Sequence, residues 1–331
     1  MASSLILSLA TGVTGVSAES SDKNVENILV LDATDEKQTT IGEIEVLLLD
    51  YFKSQNLSYE LNSPEIVDYF VGVSLEDADE ELAKHPDYSL IRYYISEYLY
   101  ELEKFQMDQN SDASFEEYNL DHVSDKTIED IQEEIALEEK FVDQTVPDRK
   151  SQMMAISTMS TYSVSNSIAY ARKWAEGFNP LYKNHFKDCT NFVSQAILAG
   201  GKSERKPSSV PTGITNTTSY WYSDRYEEWR TNHYAYAWKE SSSWIGVVDF
   251  HTYWSKYVTV TAPTTSKTTI RNQATLGDIL QFKNSEGRWF HSMIVTKRDS
   301  SEIYLAGHTV PSLDKPFAKT SGGTAFRLIR F

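Results

Sequence analysis

Cysteine is almost absent from this chain: one residue, Cys189, in 331. That excludes an intramolecular disulfide and any zinc cage built from cysteines. Long hydrophobic runs are missing too. No run reaches the roughly 18 apolar residues that a membrane span needs, so no membrane span is expected. There is no His-Glu-x-x-His and no paired Cys, so neither a metal nor another cofactor is expected. No internal repeat is present. Tryptophan is lacking from the first half, all seven lying between Trp174 and Trp289.

Bases are scarce in that first half as well. Residues 1–150 hold 35 acids and 10 bases, a net of −25, whereas residues 151–331 hold 13 acids and 21 bases, a net of +8. The overall charge of −17 therefore hides two physically different regions. Nucleic-acid binding is not expected, because the basic excess is modest and comes with a strongly acidic partner region. Opposite charges on one chain favour intramolecular docking of the acidic region on the basic one, where it would restrain it as a pro-domain does. The alternative is that the acidic half keeps the protein soluble or binds a partner.

Leu5 to Val16 is a short apolar run, and Val16-Ser17-Ala18 fits a small-residue cleavage site. Residues 1–18 are thus expected to be a secretory signal peptide, although no Lys or Arg precedes the run. The expected location is outside the cell or in the cell envelope. Helical spacing of apolar residues over 41–54, 87–105 and 125–142, and the Ser63-Pro64 start of a further helix, predict an acidic helical domain over 19–143. Residues 144–162 break the periodicity and read as a linker.

The second domain, 163–331, opens with a predicted helix over 163–180. A second helix starts after Asp188 and stops at Gly200-Gly201, and a third covers 245–258. Short apolar runs at 278–282, 290–297, 303–308 and 324–331 then read as strands. Helices first and strands later predict an α+β fold.

The lone thiol lies in "DCTNFVSQAI", residues 188–197. A free cysteine is most often a small buried hydrophobe. Cys189, however, would sit at a helix N-terminus, where unpaired N–H groups and the helix dipole favour a thiolate and its own N–H points toward an oxyanion. Two histidines lie on predicted strands, His291 in "RWFHSMIV" and His308 in "IYLAGHT". Thiol, base and orienter is the arrangement of nucleophilic catalysis. His185, His233 and His251 are weaker candidates. Asp188 reads as a helix cap or as the holder of a substrate amine. Asn191 reads as a group for a substrate amide or as a local helix hydrogen bond. Trp221, with Tyr220, Tyr222 and Trp229, is a candidate for a substrate cleft, and Asp278 for a turn cap.

"DCTNFVSQ", "LGDILQF", "HSMIV" and "GHT", in this order, resemble the bacterial "Putative amidase domain" family, distantly similar to the NlpC-type and CHAP peptidases of the papain-like superfamily. The resemblance covers about residues 163–331. It implies a papain-like catalytic domain with N-terminal helices and a C-terminal antiparallel sheet. It also implies hydrolysis of an amide bond through a thioester acyl-enzyme, with peptidoglycan peptide as the leading substrate and a secreted peptide or protein as the runner-up. On that pattern Cys189 is the nucleophile, His291 the base and His308 the third residue, with Asp314 a rival because His308 lies 17 positions after His291. A separate possibility is an inactive papain-like binding module of the envelope.

Overall fold

Thr40 opens the first helix with a capping box. Its hydroxyl accepts the Glu43 N–H, and the Glu43 carboxylate accepts the Thr40 N–H at 2.8 Å. The computed structural model describes residues 36–108, 117–145 and 162–331. The expected signal peptide and most of the expected linker lie outside the described residues. Helix α1 (Ile41–Ser54) buries Ile41, Ile44, Leu48, Tyr51 and Phe52, the stripe its spacing predicts. Helix α2 (Pro64–Glu76) has Ser63 as N-cap and Pro64 at its first turn, where a missing N–H costs nothing. Helices α3 (Tyr88–Asp108) and α4 (Ile128–Thr145) complete the acidic region.

In the second region α5 (Val164–Trp174) is capped by Ser163, and α6 (Cys189–Ala199) ends at Gly200. A side chain at Gly200 would meet the Tyr162 ring at 2.4 Å, so the chain needs glycine there. The polar, aromatic stretch that follows folds into β1 (Gly213–Thr215) and a long ribbon, β2 (Ser223–Arg230) with β3 (His233–Ser241). The helix expected over 245–258 is interrupted by Gly246 into α7 (Ser242–Ile245) and α8 (Val247–Trp254). Then come β4 (Thr259–Val260), α9 (Lys267–Gln273), β5 (Ile279–Lys283), β6 (Trp289–Arg298), β7 (Ile303–Gly307), β8 (Ser312–Pro316) and β9 (Ala325–Arg330). The chain is α+β.

Strands β4-β9-β5-β6-β7-β8 form one antiparallel sheet, and β1-β3-β2 a small one. The large sheet is covered on both faces. Alternation along β5 and β6 sends Ile279 and Ile294 into a cluster with Phe192, Ala196, Trp244 and Phe250, the helices around α6. It sends Leu280, Phe282, Met293 and Val295 into a second cluster that continues into Ile44, Phe70, Leu99 and Ile131 of α1 to α4. The acidic helices are thus the second cover of the sheet.

Ion pairs ring that contact. Arg288, 2 % exposed, places Nη2 at 3.0 Å from Glu97 and Nη1 at 3.3 Å from Glu138, with its guanidinium 3.5 Å above the Tyr100 ring. Lys315 pairs with Glu76 and Lys283 with Glu139. Lys187, two residues before Cys189, sits 2.6 Å from Glu103, and its N–H donates to Gln106 at 2.8 Å. Helix α3 therefore touches the turn that launches α6.

Candidate active site

Cys189 is the first residue of α6 and is fully buried. The Ser292 N–H of β6 donates to its sulfur, and the Thr190 hydroxyl lies 3.8 Å away. Burial pushes the thiol pKa up. The Lys187 charge opposes this, Glu103 adds to it, and the Ser292 N–H and Thr190 hydroxyl oppose it more weakly.

His291 precedes Ser292, the residue whose N–H meets the thiol. It lies 1 % exposed between Phe282 and Phe290, and neither ring nitrogen has a hydrogen-bond partner among the described residues. No hydrogen bond joins it to Cys189. Strand parity turns Ser292 toward α6 and His291 toward the acidic helices, with a register shift in the β5–β6 pairing next to it. A side chain on Gly307 of β7 would press on Met293 at 3.1 Å and make only an ordinary contact of 3.6 Å with His291 Nε2. Burial, then the charges of Lys315 and Lys187, lower the His291 pKa to about 3. Burial thus disfavours the charged form of each group, thiolate and imidazolium alike.

His308 does not reach His291. Its Nδ1 lies 2.6 Å from Asp188 Oδ2 and its Nε2 2.7 Å from the Trp174 carbonyl, with Phe192 stacked at 4.1 Å. Asp188 occupies the N-cap position of α6 as expected, but its side chain makes no cap hydrogen bond. Its Oδ1 turns back to accept the His185 N–H at 2.9 Å and Asn191 Nδ2 at 2.8 Å, and its own N–H donates to Thr309 Oγ1 at 3.1 Å. Thr309 holds φ +76, a conformation that β-branched residues avoid. That strain is stored where the β7 end grips the start of α6.

The residues expected to contact substrate are engaged inside the protein. Asp188 has three partners. Asn191 spends Nδ2 on Lys183 O and Asp188 and accepts Trp244 Nε1 at 2.8 Å. Trp221 is fully buried, donates to Ser194 Oγ and packs on Trp244 and Trp254. Asp314, the rival third residue, forms a two-pronged pair with Arg172 at 2.8 and 3.0 Å and faces away from His291. His185 pairs with Glu240 at 2.9 Å, His251 is buried, and His233 is exposed. Asp278 accepts the Thr275 N–H at 2.8 Å, a turn cap as expected. No cluster of metal ligands occurs among the described residues, and no described helix is long and apolar enough to cross a membrane.

Sequence reasoning did not find the polar line behind the thiol. Thr190 Oγ1 meets Ser292 Oγ at 3.2 Å, Gln281 Nε2 donates to Ser292 Oγ and to Val247 O, and Arg327 Nε donates to Gln281 at 2.8 Å. The available signal was polar residues at inward positions of otherwise apolar strands.

Residues 161–329 match the family model described as "Putative amidase domain". The chain belongs to that family. Its amidase domain thus spans the helices around α6 and the whole large sheet. Among curated relatives, the uncharacterized protein YjcM of Bacillus subtilis is 26% identical over 220 residues, 63% of this chain and 46% of that protein. The uncharacterized protein YhbB of the same organism is 25% identical over 147 residues, 44% of this chain and 40% of its own length. The chain spans less than half the length of these curated relatives. No solved structure matches it.

Proposed function

We propose that this amidase-family chain is a cysteine hydrolase that cleaves an amide bond through a thioester acyl-enzyme. One observation carries the reading: the chain's single thiol stands at the first residue of a buried helix, next in space to a strand whose histidine has two ring nitrogens without a partner among the described residues. His291 takes the Cys189 proton as sulfur attacks the carbonyl carbon, and the carbonyl pair moves onto oxygen, where the Cys189 N–H receives it. The tetrahedral adduct collapses, the C–N bond breaks, and His291-H⁺ protonates the leaving amine. Water, deprotonated by His291, then hydrolyses the thioester to a carboxylic acid and restores the thiol. Because burial disfavours thiolate and imidazolium alike, proton transfer accompanies attack.

The proposed substrate is a peptide, with peptidoglycan peptide first and a secreted peptide or protein second. The proposed place of action is the cell envelope or outside the cell. His308 serves by holding Asp188 and so the start of α6. The acidic helices reach the turn before α6 through the Glu103–Lys187 contact and hold it in place. The sealed thiol favours one other reading, a non-catalytic envelope-binding module with the papain-like arrangement. Digestion of purified cell walls and generic peptides, with mass spectrometry of the products, separates the two. Cleavage by the native chain and none by Cys189→Ala supports the hydrolase, and cleavage by both overturns the cysteine mechanism.

A further inference from the structure

A cavity of about 240 Å³ lies between the acidic helices and the amidase domain. Helix α3 contributes Tyr100, Glu103 and Met107, and the amidase domain contributes Lys187, Asp249 and Arg288. The volume suits one side chain with its backbone and falls below the roughly 300–1,000 Å³ of drug-sized pockets. Phe290, next to His291, lines it too, so the cavity ends one residue from the proposed base and, at Lys187, two from the proposed nucleophile.

Two features of its wall are incomplete. Asp249 accepts from the Ser242 hydroxyl and has no ion pair among the described residues. Arg288, 2 % exposed, engages its carboxylates through both Nη atoms while its Nε–H is buried without an acceptor. An unpaired buried carboxylate calls for a cation, and an orphan N–H calls for a carbonyl oxygen. Glu103, which lines the same cavity, acts electrostatically on both Asp249 and Cys189 and is itself held by Lys187 at 2.6 Å.

We infer that this cavity is a substrate subsite for a primary ammonium group of a peptide, with Asp249 as counter-charge and the Arg288 Nε–H donating to a peptide carbonyl. The acidic helices are then a wall of the substrate site. The inference rests on the peptide-hydrolase reading and assigns its specificity. Burial pushes the Asp249 carboxyl pKa up and the Glu103 charge adds to it, against the Ser242 hydroxyl, so an entering ammonium relieves an existing repulsion. Asp188, its oxygens occupied by His185, Asn191 and His308, has no place for a substrate amine.

The test uses the full chain carrying Cys189→Ala, so that binding is read without turnover. Ala-Lys-Ala and Ala-norleucine-Ala, each with a free and an acetylated N-terminus, are titrated by calorimetry near neutral pH. The acetylated norleucine peptide is expected to bind at least tenfold more weakly than the best of the others. Preference within the lysine pair against the norleucine pair assigns the ammonium to a side chain, and preference for free termini assigns it to the α-amine. Asp249→Asn, which still accepts from Ser242, is expected to remove that tenfold preference without changing the circular dichroism. Equal binding of all four peptides, no binding at 10 mM, or an unchanged preference in Asp249→Asn overturns the inference. The companion measurement is hydrolysis by the native chain. Cleavage without an ammonium preference removes the subsite and leaves the cysteine mechanism standing. An ammonium preference without cleavage of any peptide or cell wall does the reverse.

Discussion

His308 and Asp188, 120 residues apart in sequence, are joined by a contact of 2.6 Å between Nδ1 and Oδ2, both side chains buried. The second ring nitrogen faces the Trp174 carbonyl, which only accepts, so Nε2 carries a proton and donates it there, while Nδ1 meets the Asp188 carboxyl group. This pair fixes the residue before the proposed nucleophile.

Breaking one side of a buried hydrogen-bonded pair costs about 1–3 kcal/mol, because the other group is left unsatisfied. Asp188→Asn is therefore expected to lower the urea midpoint sharply and to depress kcat more than KM, since the start of α6 loses its anchor. His308→Ala is expected to do the same. If either substitution abolishes turnover while stability stays at the native level, His308 or Asp188 acts on the substrate itself and the anchoring role is wrong.

Protonation of His291 gives a second expectation. Its pKa is about 3 in the folded chain and about 6.5 when unfolded. Above pH 6.5 both states hold it neutral and it makes no pH-dependent contribution. As pH falls from 6.5 toward 3 the unfolded state binds a proton that the folded state refuses. Stability then drops with a limiting slope of about 1.4 kcal/mol per pH unit from this group alone. Denaturant titrations of native and His291→Gln chains between pH 4 and 7 are expected to differ by that slope. Parallel curves would show that His291 is solvated.

Much of this architecture is legible along the chain. The Ser63-Pro64 start, the stripe of α1, the helix beginning at Cys189 and four of the six strands of the large sheet, β5, β6, β7 and β9, follow from local spacing and end signals. The β2–β3 ribbon was not: burial alternates along β2, but residue type does not follow it, since Trp229, Tyr234 and Tyr236 stand 64, 67 and 51 % exposed. Helix α9 and strand β8 are short and mostly polar, so they carry little periodicity. In the site, Cys189 and His291 could be named by residue type and order. The partner of His308 could not, because which acid meets an imidazole is decided by how β7 crosses α6. Nor does an amphipathic stripe say what covers it, and so α1 to α4 read as a separate domain although their apolar faces share a core with Leu280 and Phe282.

The thiol offers a third check. Buried and pushed toward its neutral form, Cys189 is expected to react with iodoacetamide at pH 7 at least tenfold more slowly in the folded chain than in urea, and faster as pH rises. Glu103→Gln removes a charge that raises the thiol pKa and frees the Lys187 ammonium that lowers it, so labelling is expected to quicken in that variant. Fast labelling of the native chain at pH 7 contradicts a sealed, neutral thiol.

The last expectation concerns a chain that begins at Thr161. If the acidic region were a tethered charged body that only restrains the enzyme, this shorter chain would stay folded and turn over faster, and added salt would narrow the gap. The shared core argues otherwise. Removing α1 to α4 uncovers Leu280, Phe282, Phe290, Met293, Val295, Leu305 and Phe326 on one sheet face, all at most 2 % exposed in the whole chain. At about 1.5–3 kcal/mol for each large apolar side chain, even partial exposure exceeds the roughly 5–15 kcal/mol that holds a typical domain together. Arg288 would also lose Glu97, Glu134 and Glu138 at once. The truncated chain is expected to bind ANS, to lose its cooperative urea transition and to show no activity at low or high salt, since screening acts on charges and not on an uncovered apolar face. A soluble fragment with a sharp transition and native activity would show that the acidic helices are a removable cover.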